Sequence, residues 1–266
     1  VGIPSEYIVV RNNEYLTGKG SAATVGSDMS GDVRYVYFID NHSLDTCKHL
    51  QSISLKTNGD RGGTIEQIYI SGLKAEHVED DAVYAPMEYE EGDTGLTTPV
   101  IRDIFIKDCE LVAGSKGFIG LIGYDRSPVS GISFENCSFT GDAPRFAFWN
   151  VEDVSFKNVT FNGEAYPDGT FPTDASSINL LEESVGRYIT VRYSCGAPDS
   201  TISSQWYVSD TPDGSYEAVV ETDTLKAYHS IMEEKLMEID TSKYYKLIIT
   251  VGNETFEAGP YHGNAN

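Results

Sequence analysis

A short pattern of apolar residues recurs six times along the first part of the chain, and it constrains the fold more than any other feature. Each copy has an apolar residue, two further residues, and then apolar residues at alternate positions. Aligned on one apolar residue, successive copies are 28, 32, 36, 28 and 22 residues apart. The aligned residues are Ile8, Val36, Ile68, Ile104, Ile132 and Val154. Alternation predicts strands with one buried face, and recurrence at similar intervals predicts a solenoid with loop insertions.

The position that follows each strand supports the same fold. It holds only Asn, Asp or Gly, in the column Asn12, Asp40, Gly72, Asp108, Asn136 and Asn158. These residue types tolerate the left-handed backbone of a sharp corner, and stacked Asn amides can hydrogen-bond from coil to coil. The next column includes Cys109 and Cys137, which we interpret as inward-facing core residues rather than a redox pair. A leucine-rich repeat would need a tighter period, so residues 1–175 are predicted to form a right-handed parallel β-helix.

A second domain is predicted for residues 176–266. The repeat stops near a stretch rich in Pro, Asp and Ser at residues 172–177, which is typical of a linker. Short strands with turn signals between them then predict an antiparallel β-sandwich, similar to bacterial immunoglobulin-like modules. Trp206 is expected in its core, and Asp240 with Tyr244 is expected to form a tyrosine corner. Cys195 has no partner at the position of the usual inter-sheet disulfide.

The charge of the chain excludes two classes of partner. A formal net charge of −22 argues against nucleic acid and anionic membranes, because phosphates would be repelled. It also fits poorly with an anionic polysaccharide unless a few Lys and Arg side chains are gathered locally.

No apolar run approaches the ~20 residues of a membrane helix. The His and Cys residues lack metal-ligand spacing, so we expect no metal or cofactor.

Two segments carry a resemblance to a known family. Residues 25–36 read VGSDMSGDVRYV and resemble the GSEMSGGVRNV stretch of glycoside hydrolase family 28, the polygalacturonases. Residues 55–58 (LKTN) and 61–63 (RGG) match that family's (R)IKTN…RGG stretch, and Arg11 with Asn12 fits its IVIRNC segment. The resemblance extends from Val1 to about Gly141, is strongest over residues 5–73, and is more typical of bacterial, exo-acting members.

The resemblance implies inverting hydrolysis of α-linked galacturonic acid polymers. Inversion needs one carboxylic acid to protonate the leaving oxygen and one carboxylate to activate water. In the family these come from an NTD and a DD motif, which lie upstream of the point where this chain begins. We therefore expect no catalytic carboxylate in this chain, and whether it is an enzyme by itself stays open.

Two further family motifs suggest substrate-binding residues. The GHG motif aligns with Gly18-Lys19-Gly20, where Lys cannot shuttle a proton near neutral pH as imidazole does. The RIK motif aligns with Ser54-Leu55-Lys56, so the bidentate fork of the Arg is lost and a single point charge remains. Lys56 either pairs with a uronate carboxylate or lies exposed on a strand edge. Lys19 and Arg61 either join it in a cationic patch, or Arg61 only holds the turn beside Gly62.

Three functions are compatible with these residues. The first is a portion of a polygalacturonase-like glycoside hydrolase that acts on pectic polysaccharide and is inactive alone. The second is a degenerate β-helix that binds pectic or other carbohydrate, or presents a structural surface. The third is an enzyme with a relocated site built from Asp28, Asp80 and Asp81. The resemblance implies a secreted protein, either extracellular or periplasmic.

The first coil raises a question of packing. The segment from Tyr7 to Asn12 would expose the apolar end of the solenoid. We expect this end to be covered by missing upstream coils, by loops of the chain itself or by a second copy of the chain.

Overall fold

The computed structural model describes residues 2–90, 92, 94–142, 146–197, 201–219, 223–227 and 231–263, with backbone only for 223–227 and 231. It divides into two compact units, Val1–Phe171 and Pro172–Asn266. The boundary between the units lies in the Pro-containing stretch where the repeat ends.

The first unit is a stack of coils that contribute strands to three sheets. Sheet A contains parallel β1 (Ser5–Arg11), β4 (Val33–Ile39), β7 (Thr64–Ser71), β10 (Val100–Lys107), β13 (Val129–Glu135) and β16 (Val151–Lys157). Sheet B contains parallel β2 (Glu14–Tyr15), β5 (His42–Ser43), β8 (Lys74–Ala75), β11 (Glu110–Ala113), β14 (Ser138–Gly141) and β17 (Val159–Phe161). Sheet C contains parallel β3 (Lys19–Val25), β6 (Lys48–Leu55), β9 (Asp81–Pro86), β12 (Gly117–Ile122) and β15 (Phe146–Trp149). The predicted parallel β-helix is confirmed.

The strands of sheet A pair in the same register as the alignment of the sequence repeats. The six aligned apolar residues pair in order along the sheet: Ile8, Val36, Ile68, Ile104, Ile132 and Val154. From Val36 onwards each of them is buried in the core between the three sheets. The apolar spacing thus determines the register, because a slip by one residue would turn this column outwards.

The corners between sheets A and B also follow the prediction. All six residues of the corner column have a left-handed backbone, with φ between 50° at Asp40 and 65° at Gly72. The Asn136 amide donates to Asp108 over 2.8 Å, and the Asn158 amide donates to Asn136 over the same distance. Cys109 and Cys137 follow as buried free thiols, as expected of core residues.

A second left-handed column runs through the middle of sheet A and was not predicted. It contains Tyr7, Tyr35, Gln67, Asp103, Gly131 and Asp153, with φ between 51° and 63°. The bend at this position lets the apolar residues on both sides point inwards. Ile65 and Ile68, three residues apart, are both fully buried for this reason. The bend therefore explains the two intervening residues in every copy of the repeat.

The two ends of the β-helix differ. At the end of the last coil, β18 (Glu164–Tyr166) and β19 (Gly169–Thr170) fold back antiparallel, and Phe161, Tyr166 and Phe171 surround Phe146. At the first coil, Ile8 of the core column is 41% exposed, whereas its partner Val36 on the next coil is 3% exposed. The expectation that the chain's own loops cover this end is wrong. Coverage by upstream coils or by a second copy stays a prediction.

The second unit contains two four-stranded antiparallel sheets after a short 3-10 helix (Ala175–Ser177). One sheet has the order β20 (Asn179–Val185), β21 (Ile189–Ser194), β25 (Ile231–Leu236) and β24 (Asp223–Ala227). The other has the order β23 (Glu217–Ala218), β22 (Ile202–Ser209), β26 (Tyr244–Val251) and β27 (Glu254–His262). No helix in the described ranges is long and apolar enough to cross a membrane.

Side chains of the second unit confirm one expectation and correct another. Trp206 is fully buried, as expected of a core tryptophan. The hydroxyl that accepts the backbone N–H of Asp240, over 2.6 Å, belongs to Tyr245 and not to Tyr244. The alternation of β26 explains the difference, because it buries Tyr245 and leaves Tyr244 partly exposed.

The corner column can be tested at Asn136. Asn136→Gly keeps the left-handed corner but removes both amide hydrogen bonds, which we expect to lower the free energy of unfolding by about 1 kcal/mol. Asn136→Ala adds the steric cost of a Cβ in that backbone conformation and should lose about 1 kcal/mol more. Urea unfolding of the three proteins measures both effects. Equal stability of the Gly and Ala variants would contradict the role of the backbone conformation.

Candidate functional site

A surface pocket lies where β3 and β6 end side by side in sheet C. Val25 pairs with Leu55 in the last register position, and the backbone N–H of Lys56 donates to Val25 over 2.9 Å. The loop that follows β3, residues 26–31, lines a pocket of about 600 Å³ together with Lys56 and Ile3. Both segments that carry the family resemblance therefore meet at this pocket.

Glycines allow these segments to approach each other. Gly26 has φ of +87°, and a Cβ on it would lie 1.9 Å from the carbonyl oxygen of Lys56. Gly63 has φ of +77°, and its Cβ would lie 2.8 Å from the carbonyl oxygen of Gly31. Any side chain at these two positions would thus push the two loops apart. The conformation of both segments depends on backbone contacts that only glycine permits.

The remaining residues of the LKTN segment hold the turn after β6. Asn58 is fully buried, accepts the N–H of Arg61 over 3.0 Å, and donates to the carbonyl of Tyr89 over 2.9 Å. The Thr57 hydroxyl donates to the carbonyl of Gly62 over 2.9 Å. These bonds satisfy the buried polar groups of the turn and position the preceding residue, Lys56, at the pocket.

The ammonium group of Lys56 is available to a ligand. It lies 4.8 Å from the centroid of the Tyr89 ring, and it makes no ion pair with any residue that the structure describes. Burial, followed by the charge of Glu90, raises the pKa of Tyr89, so this phenol is neutral near pH 7 and does not cancel the charge of Lys56. An unpaired ammonium beside a partly buried aromatic ring suits an anionic group attached to an apolar surface.

Arg61 lies close to the same loop, but its guanidinium already contacts side chains of the protein. One terminal nitrogen donates to the Ser27 hydroxyl and lies 3.5 Å from the Asp28 carboxylate. The other lies 3.5 Å from the Glu90 carboxylate. Of the two roles predicted for Arg61, these contacts favour the structural one, in which it ties the turn to the neighbouring loops.

Two of the predicted substrate-binding residues do not reach the pocket. Lys19 pairs with Lys48 at the other end of sheet C, roughly 20 Å from Lys56 at about 3.3 Å per strand residue. It therefore does not belong to a common cationic patch. Ser54 is fully buried between Thr24 and Tyr84 of the adjacent strands. Its hydroxyl has no surface that a ligand can contact.

The hypothesis of a relocated catalytic site is also wrong. Asp28 lies after β3, at the pocket end of sheet C, with its side chain 96% exposed. Asp80 and Asp81 lie at the start of β9, at the opposite end of the sheet. Asp80 is paired with Lys116 over 3.1 Å, and Asp81 is buried. Within the described ranges, no group of three His, Cys, Asp or Glu side chains is arranged to hold a metal ion.

A buried histidine near Gly18 was missed by the sequence reasoning. His49 is 5% exposed, and neither ring nitrogen has a hydrogen-bond partner among the described residues. A Cβ on Gly18 would lie 3.2 Å from the imidazole, and the ring meets Tyr15 edge-on at 6.1 Å. Burial lowers the pKa of His49. Only the register, which pairs His49 with Gly20, could have indicated this position.

The buried imidazole predicts a dependence of stability on pH. The unfolded chain binds a proton at His49 below about pH 6.5, whereas the folded chain binds it only at lower pH, so the free energy of unfolding should fall as the pH decreases. His49→Phe keeps the ring but removes the titration, and it should lessen this decrease between pH 7.5 and 5.5. The measurement is urea unfolding at both pH values.

The exposed His77 provides the control. His77→Phe makes the same chemical change without altering a buried group, so it should keep the pH dependence of the unchanged protein. A pH dependence that is identical in all three proteins would contradict the assignment to His49.

Comparison with known proteins supports the fold of the first unit. No family model matches the chain, and no curated protein matches it. Among solved structures, the crystal structure of a hyperthermoactive exopolygalacturonase from Thermotoga maritima matches with a TM-score of 0.54 and 27% sequence identity. The match covers 64% of this chain and 38% of that chain, so this chain spans well under half of the solved protein. The parallel β-helix is therefore similar to that of an exopolygalacturonase.

Proposed function

We propose that the β-helix of this chain is a portion of a polygalacturonase-like glycoside hydrolase that binds pectic polysaccharide. In this proposal Lys56 binds the carboxylate of a galacturonate residue, and the chain alone does not cleave the polymer. The observation that carries the proposal is that Lys56 lines the pocket and that its ammonium makes no ion pair with a described residue. The similarity of the β-helix to that of an exopolygalacturonase supports it.

The charge of the chain makes the position of this ammonium significant. With a net charge of −22, the surface as a whole repels a polyuronate. Binding therefore requires a local cation that is not neutralised, and Arg61 is already paired with Asp28 and Glu90. A single contact between opposite charges at about 4 Å contributes roughly 1 to 4 kcal/mol near a protein surface. We accordingly expect binding that is weak and sensitive to salt.

The carboxylates nearest the pocket do not suit acid catalysis. Asp28 and Glu90 both contact the guanidinium of Arg61. Both carboxylates are therefore already engaged by the same cation. Inverting hydrolysis needs one carboxyl group that keeps its proton and a second that activates water. This is the basis for proposing that the chain binds but does not hydrolyse.

Substitution of Lys56 tests the binding role. Lys56→Met keeps most of the side-chain volume and removes the charge, so the affinity for trigalacturonate at low salt should fall about 10-fold, which is about 1.4 kcal/mol. Isothermal titration calorimetry or NMR titration measures the change. Lys48→Met provides the control, because Lys48 is an exposed lysine at the other end of sheet C.

Two results would contradict the proposal in different ways. If Lys56→Met and Lys48→Met bind trigalacturonate equally well, Lys56 does not bind the carboxylate. If the unchanged chain releases reducing ends from polygalacturonate at enzymatic rates, the chain carries its own catalytic acids. The first result would refute the proposed binding site at Lys56. The second would refute only the proposal that the chain alone does not hydrolyse the polymer.

A further inference from the structure

The outer face of sheet A carries a stack of aromatic rings that ends abruptly. Tyr37, Tyr69 and Phe105 occupy the same register position on successive coils, with ring centroids 4.9 Å apart in both steps. This separation matches the spacing of adjacent strands, about 4.8 Å. The next two coils have Ser133 and Ser155 at this position. The stack therefore stops with one face of the last ring turned towards two small residues.

The free face of Phe105 is accessible. Its other face stacks on the Tyr69 ring at an interplanar angle of 11°. No ring in the described part of the chain contacts the free face. The side chain is 37% exposed, which makes Phe105 one of the few large apolar residues on the surface away from the first coil. Ser133 and Ser155 leave a ledge about two strand spacings wide, roughly 10 Å, beside this ring.

A carboxylate projects over the same ledge. Asp103 lies two residues before Phe105, in the left-handed column of sheet A. One carboxylate oxygen accepts the Gln67 amide over 3.4 Å and lies 3.9 Å from Arg102. The other oxygen has no hydrogen-bond partner in the described part of the chain. It lies next to Gly131, where a Cβ would be only 3.0 Å away.

We propose that this ledge, formed by Phe105, Asp103, Gly131, Ser133 and Ser155, binds one pyranose ring of an uncharged glycan. A pyranose has an apolar C–H face that packs against an aromatic ring, and hydroxyls on its rim that donate to a carboxylate or exchange hydrogen bonds with serine. A ring stacked on Phe105 takes the position that an aromatic side chain of the next coil would occupy. Gly131 keeps the free oxygen of Asp103 accessible to a sugar hydroxyl.

The charges at the ledge favour a neutral ligand. Asp103 would repel a uronate carboxylate, and its free oxygen is an acceptor that a hydroxyl donor can satisfy. Arg102, the nearest cation, is engaged by two hydrogen bonds to Glu66 at 2.9 and 2.8 Å. The ledge on sheet A and the Lys56 pocket on sheet C thus prefer ligands of different charge. The proposed binding at the ledge does not depend on the proposed function of the pocket.

The test is a titration of the full chain with four uncharged hexasaccharides of pyranose rings, cellohexaose, maltohexaose, β-1,4-galactohexaose and β-1,4-xylohexaose, followed by saturation-transfer NMR and calorimetry. We expect at least one of them to bind with a Kd on the order of 1 mM, as is usual for few contacts. Phe105→Ala should weaken that binding at least 10-fold. Asp103→Ala should weaken it by a smaller factor, because it removes a single acceptor.

A second variant keeps the test valid if Phe105→Ala fails to fold. Ser133→Phe extends the aromatic stack by one ring, occupies the part of the ledge beside Phe105 and leaves Phe105 in place, so it should abolish binding while the thermal unfolding temperature stays the same or rises. Lys48→Met, at an exposed lysine of sheet C, serves as the control and should bind the glycan like the unchanged chain. Failure of all four glycans to bind at 10 mM would overturn the proposal, and so would full binding by Ser133→Phe or loss of binding in Lys48→Met.

Discussion

Each coil of this β-helix has to pass from sheet A to sheet B through one residue with a left-handed backbone. Only a side chain that tolerates this conformation can stand at the corner, and the corner in turn fixes which residue of one coil pairs with which residue of the next. The amides of Asn136 and Asn158 then donate to the corner residue of the preceding coil. Once the register is fixed, every column has one environment, so core positions, corners and outer positions follow from a single alignment of the coils.

The same register explains what sequence reasoning predicted and what it missed in the fold. The core column and the corners were predictable because their residue types match their environment. The left-handed bend within sheet A was not, because Tyr7, Tyr35 and Gln67 are residue types that rarely adopt this backbone. Pairing with neighbouring coils on both sides imposes the bend against local preference. Its only trace was the three-residue spacing of Ile65 and Ile68, which neither strand nor helix periodicity explains by itself.

In the candidate site, sequence motifs pointed to Lys56, which lines the pocket, but Lys19 and Ser54 do not lie beside it there. The flanking glycines mark close backbone contacts, and such contacts are local, so the turn around Lys56 follows from its own segment. The predictions for Lys19 and Ser54 were wrong for geometric reasons. A sequence motif does not show at which end of a sheet its residues lie, or which of them face solvent. The prediction of Tyr244 instead of Tyr245 in the second unit was wrong for a similar reason, because neighbouring residues of a strand point to opposite faces of the sheet.

A solenoid can carry unlike surfaces because its outer columns are independent of its core. At the step from the fourth to the fifth coil, the buried pair Ile104 and Ile132 continues without change, whereas the outer pair changes from Phe105 to Ser133. An additional stacked ring at residue 133 would stabilise the sheet by about 0.5 to 1.5 kcal/mol. The core does not prevent it, because residue 133 lies on the outer face of the sheet. Packing therefore does not require the stack to end at Phe105, and an end that leaves a ring face beside the free oxygen of Asp103 is better explained by a ligand than by the fold.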